Sequence, residues 1–222
     1  MFIGHWAPAF IAAAHPKAPK LGTLFVAAQL VDLGFFSLML LGVEKMRVVP
    51  GTSVMNPMDL YHMPYTHSLL GSAVWAAGFA AVVYAFTKNR TGALIGGAVV
   101  LSHWFLDLLV HVPDLTLWGN EPKLGFGLWN YPAIEMPLEL GLTFGALFFF
   151  MLRTRTIAGT ARLAVGLLAM LLLTVQMVNW FGPPPGEPSF GAAVTVLGTY
   201  LLMSAIAAWV GATRVHHMPK RG

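Results

Sequence analysis

GALIGGAVVLSHWFLDLLVHV, residues Gly92–Val112, is the stretch that decides the fold. About 20 consecutive apolar residues cross the hydrocarbon core of a bilayer as one helix, and this run is of that length. It nevertheless carries His103, Asp107 and His111, and Asp114 follows just beyond Pro113. Steps of four, four and three residues keep these four side chains within about 80° of one helical face. Ionisable groups at membrane depth are costly unless they are paired, metal-bound or facing water. The stretch therefore reads as a membrane helix carrying half of a metal site.

The rest of the chain agrees with a membrane location. Of its 222 residues, 57% are hydrophobic and only 10% charged, which places it outside the range of soluble domains. Apolar stretches of spanning length occur at Leu21–Val43, His67–Phe86, Gly92–Val112, Ile134–Leu152, Leu163–Phe181 and Phe190–Ala212. The expectation is an all-α polytopic membrane protein, a single integral domain over residues 1–222 with about six transmembrane helices. Residues 1–119 form its metal-site half and 134–212 its scaffold helices.

If the six spans alternate, Lys17, Lys20, Lys88, Arg90, Arg153, Arg155, Arg162, Arg214, Lys220 and Arg221 fall on one side. Only Lys45, Arg47 and Lys123 fall on the other. Loops rich in Lys and Arg face the cytoplasm, so both termini are expected inside. The net charge of +4 mostly reflects this bias, and no clustered basic face suggests nucleic-acid binding. Zero cysteines exclude disulfides and thiolate ligands, leaving only nitrogen and oxygen donors for a metal.

Met1–Ala14 is apolar, contains Pro8 and lacks a basic start, so it reads as a half-helix ending at His15-Pro16 rather than as a cleaved signal. His5 then lies about ten residues, or ~15 Å, from the cytoplasmic edge. Asp32 and His103 reach a similar depth on the first and third spans. Glu44–Thr66 reads as an ordered, irregular external loop with Pro50, Gly51, Pro57 and Pro64, delivering His62 and then His67 to the start of the second span. Trp118, Trp129 and Tyr131 in the next external loop suit a membrane interface. Glu135 and Glu139 open the fourth span at the same end, where acids also suit a helix N-terminus. Gln176, Asn179, Gly198 and Ser204 mark the last two spans as closely packed scaffold, joined by the stiff connector Gly182–Pro188.

Four short blocks resemble the bacterial membrane-bound metal-dependent hydrolases, a family whose founding member is an inner-membrane protein under LexA control. They are Gly4-His5, Leu30-Val31-Asp32, His62-Met63-Pro64-Tyr65-Thr66-His67-Ser68-Leu69-Leu70, and Leu101-Ser102-His103 through Asp107-Leu108-Leu109, spread over roughly residues 4–119. The family is placed distantly with zinc-dependent phospholipase C and the zinc single-strand nucleases. The resemblance implies a bacterial inner-membrane location and a metal site built from His5, Asp32, His67, His103 and Asp107, with His62 a further candidate. Gly34 stands where the family has a second aspartate, Met63 where it has arginine, and His111 and Asp114 where it tends to have Thr-Pro-x-Gly.

A site of His and Asp alone suits Zn, with Mn, Ni and Fe also possible, in a cluster of one to three ions. His111, on the face of His103 and Asp107, is counted among the ligands, and Asp107 as the carboxylate bridging two ions. Hydrolysis of a phosphoester follows, and a site in the outer half of the bilayer suggests a lipid or lipid-linked phosphoester as substrate. Asp32 and Asp107 are the expected catalytic carboxylates, and Glu135 or Glu139 could serve as general base or support. The competing expectations are an ion or proton transporter, haem ligation by His67 and His103, and a scaffold that binds no metal.

Overall fold

The structure is a computed structural model that describes residues 1–119, 121–183 and 186–217. Pro184 and Pro185 of the connector, and Lys220 and Arg221 of the basic tail, lie outside the described residues. It is an all-α polytopic membrane protein.

The chain begins in the middle of the helical bundle. A 3-10 turn over Ile3–Trp6 leads into α1 (Ala7–Ala13), which ends just before His15-Pro16 as the half-helix reading predicts. Ile3, Trp6, Ala9 and Phe10 are completely buried. Trp6 stacks on Phe25 at 5.3 Å between ring centres, while Phe10 meets Phe25 edge-on at 5.1 Å and Phe150 at 6.2 Å. The amino-terminal segment is thus the plug around which the longer helices pack. Met1 is buried among them.

The first predicted span is broken. It consists of α2 (Leu21–Ala28) and α3 (Leu30–Leu40), bent by 52° at Gln29. Neither proline nor glycine sits at the bend. Its cause is tertiary: the Trp6 indole N–H donates to Phe25 O at 3.2 Å, and His103 Nδ1 lies 2.8 Å from Ala28 O. These outside donors take carbonyls that a straight helix would use internally, a recognised source of kinks.

A β-hairpin follows, with β1 (Lys45–Val48) antiparallel to β2 (Met58–His62) and an Arg47–Asp59 ion pair at 2.7 Å. The external loop expected to be irregular is therefore built on two strands. α4 (Leu69–Thr87) starts at Ser68, whose Oγ accepts from Gly71 N at 2.9 Å, and α5 (Arg90–Val110) starts at Asn89, whose Oδ1 accepts from Gly92 N at 3.0 Å. Gly97 lets α5 approach α4 closely, since a Cβ there would meet Ala76 O at 3.1 Å and Ala80 Cβ at 3.2 Å. A two-residue ribbon, β3 (Leu115–Thr116) with β4 (Lys123–Leu124), and a 3-10 turn at Leu128–Asn130 lead to α6 (Pro132–Arg153).

The scaffold is completed by β5 (Thr154–Thr156), α7 (Ala161–Phe181), α8 (Phe190–Ala212) and β6 (Arg214–His216), which pairs with β5. Among the described residues, five helices are long and apolar enough to cross a membrane, or six if the bent α2–α3 pair counts as one span. Their outward side chains, among them Phe86, Leu94, Phe148, Leu163, Phe181 and Phe190, are exposed and apolar, as contact with lipid requires. At one end, Asn89 Nδ2 donates to Lys17 O at 2.7 Å, Arg214 donates to Thr154, and His216 Nε2 lies 2.9 Å from Ala13 O. These contacts gather most of the basic segments at a single end of the bundle.

Candidate metal centre

Asp107 is the centre of the site. It lies on α5, 2% exposed, with its Oδ1 2.9 Å from His5 Nε2 and 3.4 Å from His111 Nε2, and its Oδ2 3.1 Å from His103 Nε2 and 3.6 Å from His67 Nε2. Asp32, in the first turn of α3, places Oδ1 3.3 Å from His67 Nε2 and 3.4 Å from His103 Nε2. Four imidazole Nε2 atoms thus converge on two carboxylates. The depth match of His5, Asp32 and His103 in the sequence becomes true proximity, and His67 and His111 join them.

What fixes each ring decides the chemistry. His103 Nδ1 faces the Ala28 carbonyl, which can only accept, so a proton sits on Nδ1 and in the neutral ring the Nε2 lone pair points inward. Thr66 Oγ1 donates to Glu44 Oε2 at 2.6 Å and is left to accept from His67 Nδ1 at 2.8 Å, giving a neutral His67 the same tautomer. His111 Nδ1 lies 2.9 Å from Asp114 Oδ1, and its ring packs 4.2 Å from Trp129. His5 stacks face to face on His103 with centres 3.7 Å apart.

Among the described residues, His5 Nδ1 and Nε2 and His103 Nε2 are buried without a hydrogen-bond partner, despite the short approaches of both Nε2 atoms to Asp107. Unpaired buried polar atoms are costly, and a cation held between the imidazoles and the carboxylate would satisfy them. His5, His103 and Asp107 form one group, and Asp32, His67 and His103 a second, in each of which the ligand atoms lie within 4.8 Å of one another. These buried His and Asp groups could bind a metal. Histidine ligands with the far ring nitrogen bonded to a carbonyl, hydroxyl or carboxylate are the usual arrangement at such centres.

Two residues stand differently from the sequence reading. His62 closes β2 opposite Lys45 and belongs to neither group, because the hairpin turns it away before Pro64. Asp114 lies beyond the end of α5 rather than on its face. His111, extended at φ −63° and ψ 143°, ends the helix, and Asp114 folds back to bond it.

Several contributors have no motif. Glu44, 1% exposed, accepts from Tyr65 N and Thr66 N as well as Thr66 Oγ1. Tyr200 donates to Asp32 Oδ2 at 2.8 Å. Glu139 accepts from Phe2 N at 2.5 Å and Gly4 N at 3.0 Å through one oxygen, and from Gln176 Nε2 at 2.8 Å through the other, so it anchors the 3-10 turn that carries His5. Met1 N also donates to Asp107 Oδ1 at 3.0 Å.

The cluster opens onto a cavity of about 440 Å³. His5, Asp32, His67, Asp107, His111 and Glu135 form its polar floor, and Phe35, Phe36, Val175, Val178 and Val196 of α3, α7 and α8 give it apolar walls. No family model, no curated protein and no solved structure matches this chain.

Proposed function

We propose that the protein is a metal-dependent membrane hydrolase acting on phosphoester bonds of a lipid or lipid-linked substrate. The observation that carries this reading is the convergence of four Nε2 atoms, three of them on rings held through Nδ1, on Asp32 and Asp107 at the floor of a cavity with apolar walls. A donor set of imidazole and carboxylate, without sulfur, suits Zn before Mn, Ni or Fe. When bound, such an ion lowers the pKa of water from 15.7 to about 7 and so supplies hydroxide at neutral pH.

The chain's own contribution is orientation. Asp107 meets His5 and His111 through Oδ1 and His103 and His67 through Oδ2, so both of its oxygens would be available to hold metal. Asp32, held by Tyr200, belongs to the second group and is the candidate general base. The four sequence blocks that resemble the membrane-bound metal-dependent hydrolases support the same assignment, and with it an inner-membrane location, a cytoplasmic basic end and a site in the outer half of the bilayer.

Haem ligation fits less well. His67 and His103 approach the same Asp32 oxygen within 3.4 Å with ring centres 5.6 Å apart and planes inclined by 74°. A carboxylate, not a flat slot, occupies the space between them.

The test is the metal content of detergent-purified protein loaded without chelator, wild type against His103→Ala and Asp107→Asn. At least ~1 transition-metal ion per wild-type chain and a clear loss in both variants are expected. Fewer than ~0.5 ions per wild-type chain would sink the metal-enzyme reading.

A further inference from the structure

We infer that Glu135 is the proton donor to the leaving group in the hydrolysis proposed above, on which this role rests. Glu135 is completely buried in the first turn of α6, and it lines the cavity that holds the histidine cluster. Neither of its carboxyl oxygens has a hydrogen-bond partner among the described residues. A buried carboxyl with both oxygens unpaired is costly to retain unless something entering the cavity uses it.

Glu139, one turn further along α6, makes the contrast. Its two oxygens are fully engaged by Phe2 N, Gly4 N and Gln176 Nε2. Both line the cavity, yet the pair that looked equivalent in sequence divides: Glu139 is a positioning residue for the His5 segment, and Glu135 is the one whose oxygens are left unpaired among the described residues. The metal-cluster carboxylates are surrounded by histidines, which leaves Glu135 as the carboxyl free to bring a proton in its acid form.

In the step assigned to it, the oxygen of water bonds to phosphorus as the bond from phosphorus to the leaving oxygen breaks. Glu135 gives its proton to that oxygen, so the leaving group departs as an alcohol. The proton lost by the attacking water returns to the Glu135 carboxylate, which restores the starting state without any further reactant. A donor of this kind matters most for poor leaving groups such as the alkoxide of a glycerolipid, and least for one that leaves readily as an anion.

The experiment compares wild type, Glu135→Gln and Glu135→Asp in mixed micelles of detergent with either of two lipids. One is dimyristoyl phosphatidylglycerol, the other carries para-nitrophenol in place of the glycerol head group, and the bond followed is that from phosphorus to the head group, read as glycerol or para-nitrophenolate released. Glu135→Gln keeps the size of the side chain but has no proton to give. It is expected to slow cleavage of the alkyl ester ~10²–10⁴-fold while changing release of para-nitrophenolate less than ~3-fold, with metal content equal to wild type. Glu135→Asp is expected to keep part of the alkyl-ester activity and provides the comparison if the glutamine variant folds poorly. Equal losses on both esters, or no loss on either, would overturn the role of Glu135 while leaving the hydrolase reading standing. Metal-loaded wild type that cleaves neither ester would overturn both, a result distinct from the first.

Discussion

Asp107 Oδ2 lies 3.1 Å from His103 Nε2, one helical turn earlier on α5, while His103 Nδ1 is held by Ala28 O and Nε2 has no hydrogen-bond partner among the described residues. A metal ion held between ring and carboxylate would pair both. Removing metal should therefore loosen the protein itself. A ligand present at about 100 times its Kd stabilises the folded state by about 2.7 kcal/mol, so chelator is expected to lower the melting temperature of the wild type by several degrees. Asp107→Asn should melt at the same temperature with and without chelator. An equal chelator effect on both proteins would show that the stabilising ion binds elsewhere.

Thr66 joins His67 to Glu44, with 2.8 Å to the ring and 2.6 Å to the carboxylate. Thr66→Val keeps the shape and removes the hydroxyl that orients His67. Losing a partner behind a metal-binding histidine typically lowers affinity 10–100-fold, and that is the expected change in competition with a chromogenic chelator. Thr66→Ser should restore most of it. Wild-type affinity in Thr66→Val would show that the backbone alone fixes the ring.

The bundle was legible from hydropathy because spanning length and sparse charge are local properties of the chain. Most of the site was legible too: His5, Asp32, His67, His103, Asp107 and His111 all meet. The residues that orient them were not. Glu44 reads as an ordinary loop acid, yet it is buried as the acceptor for Tyr65 N and Thr66. Tyr200 reaches Asp32 across 168 residues, a pairing no periodicity reports. The bend at Gln29 has no local breaker, since its cause lies in Trp6 and His103, and His62 was misplaced because the β1–β2 hairpin is set by pairing with Lys45 rather than by its own spacing.

Glu139 anchors the amino-terminal segment, and its loss should act on stability and site together. Glu139→Ala leaves the buried Phe2 and Gly4 N–H groups and Gln176 unpaired, at about 1–3 kcal/mol for each unsatisfied group. Glu139→Gln keeps an oxygen for the backbone donors and should be the milder change. Both variants are expected to unfold at lower denaturant in detergent, in that order, and Glu139→Ala to bind less metal because His5 is no longer held. A Glu139→Ala protein as stable as the wild type would mean that the segment is held by Trp6 and Phe10 packing alone.

The orientation in the membrane is open to a direct test because the chain has no cysteine. Arg155, exposed on β5, belongs to the end where the basic segments gather, whereas Val54, 69% exposed, lies in the hairpin loop at the other end. Lys and Arg near span ends are retained on the cytoplasmic side. Single substitutions Val54→Cys and Arg155→Cys therefore place one thiol on each face of an otherwise thiol-free protein. An impermeant maleimide should label Val54→Cys in intact cells and Arg155→Cys only after permeabilisation. The opposite pattern would invert the protein, place the metal centre in the cytoplasmic half, and move any lipid substrate to the inner leaflet.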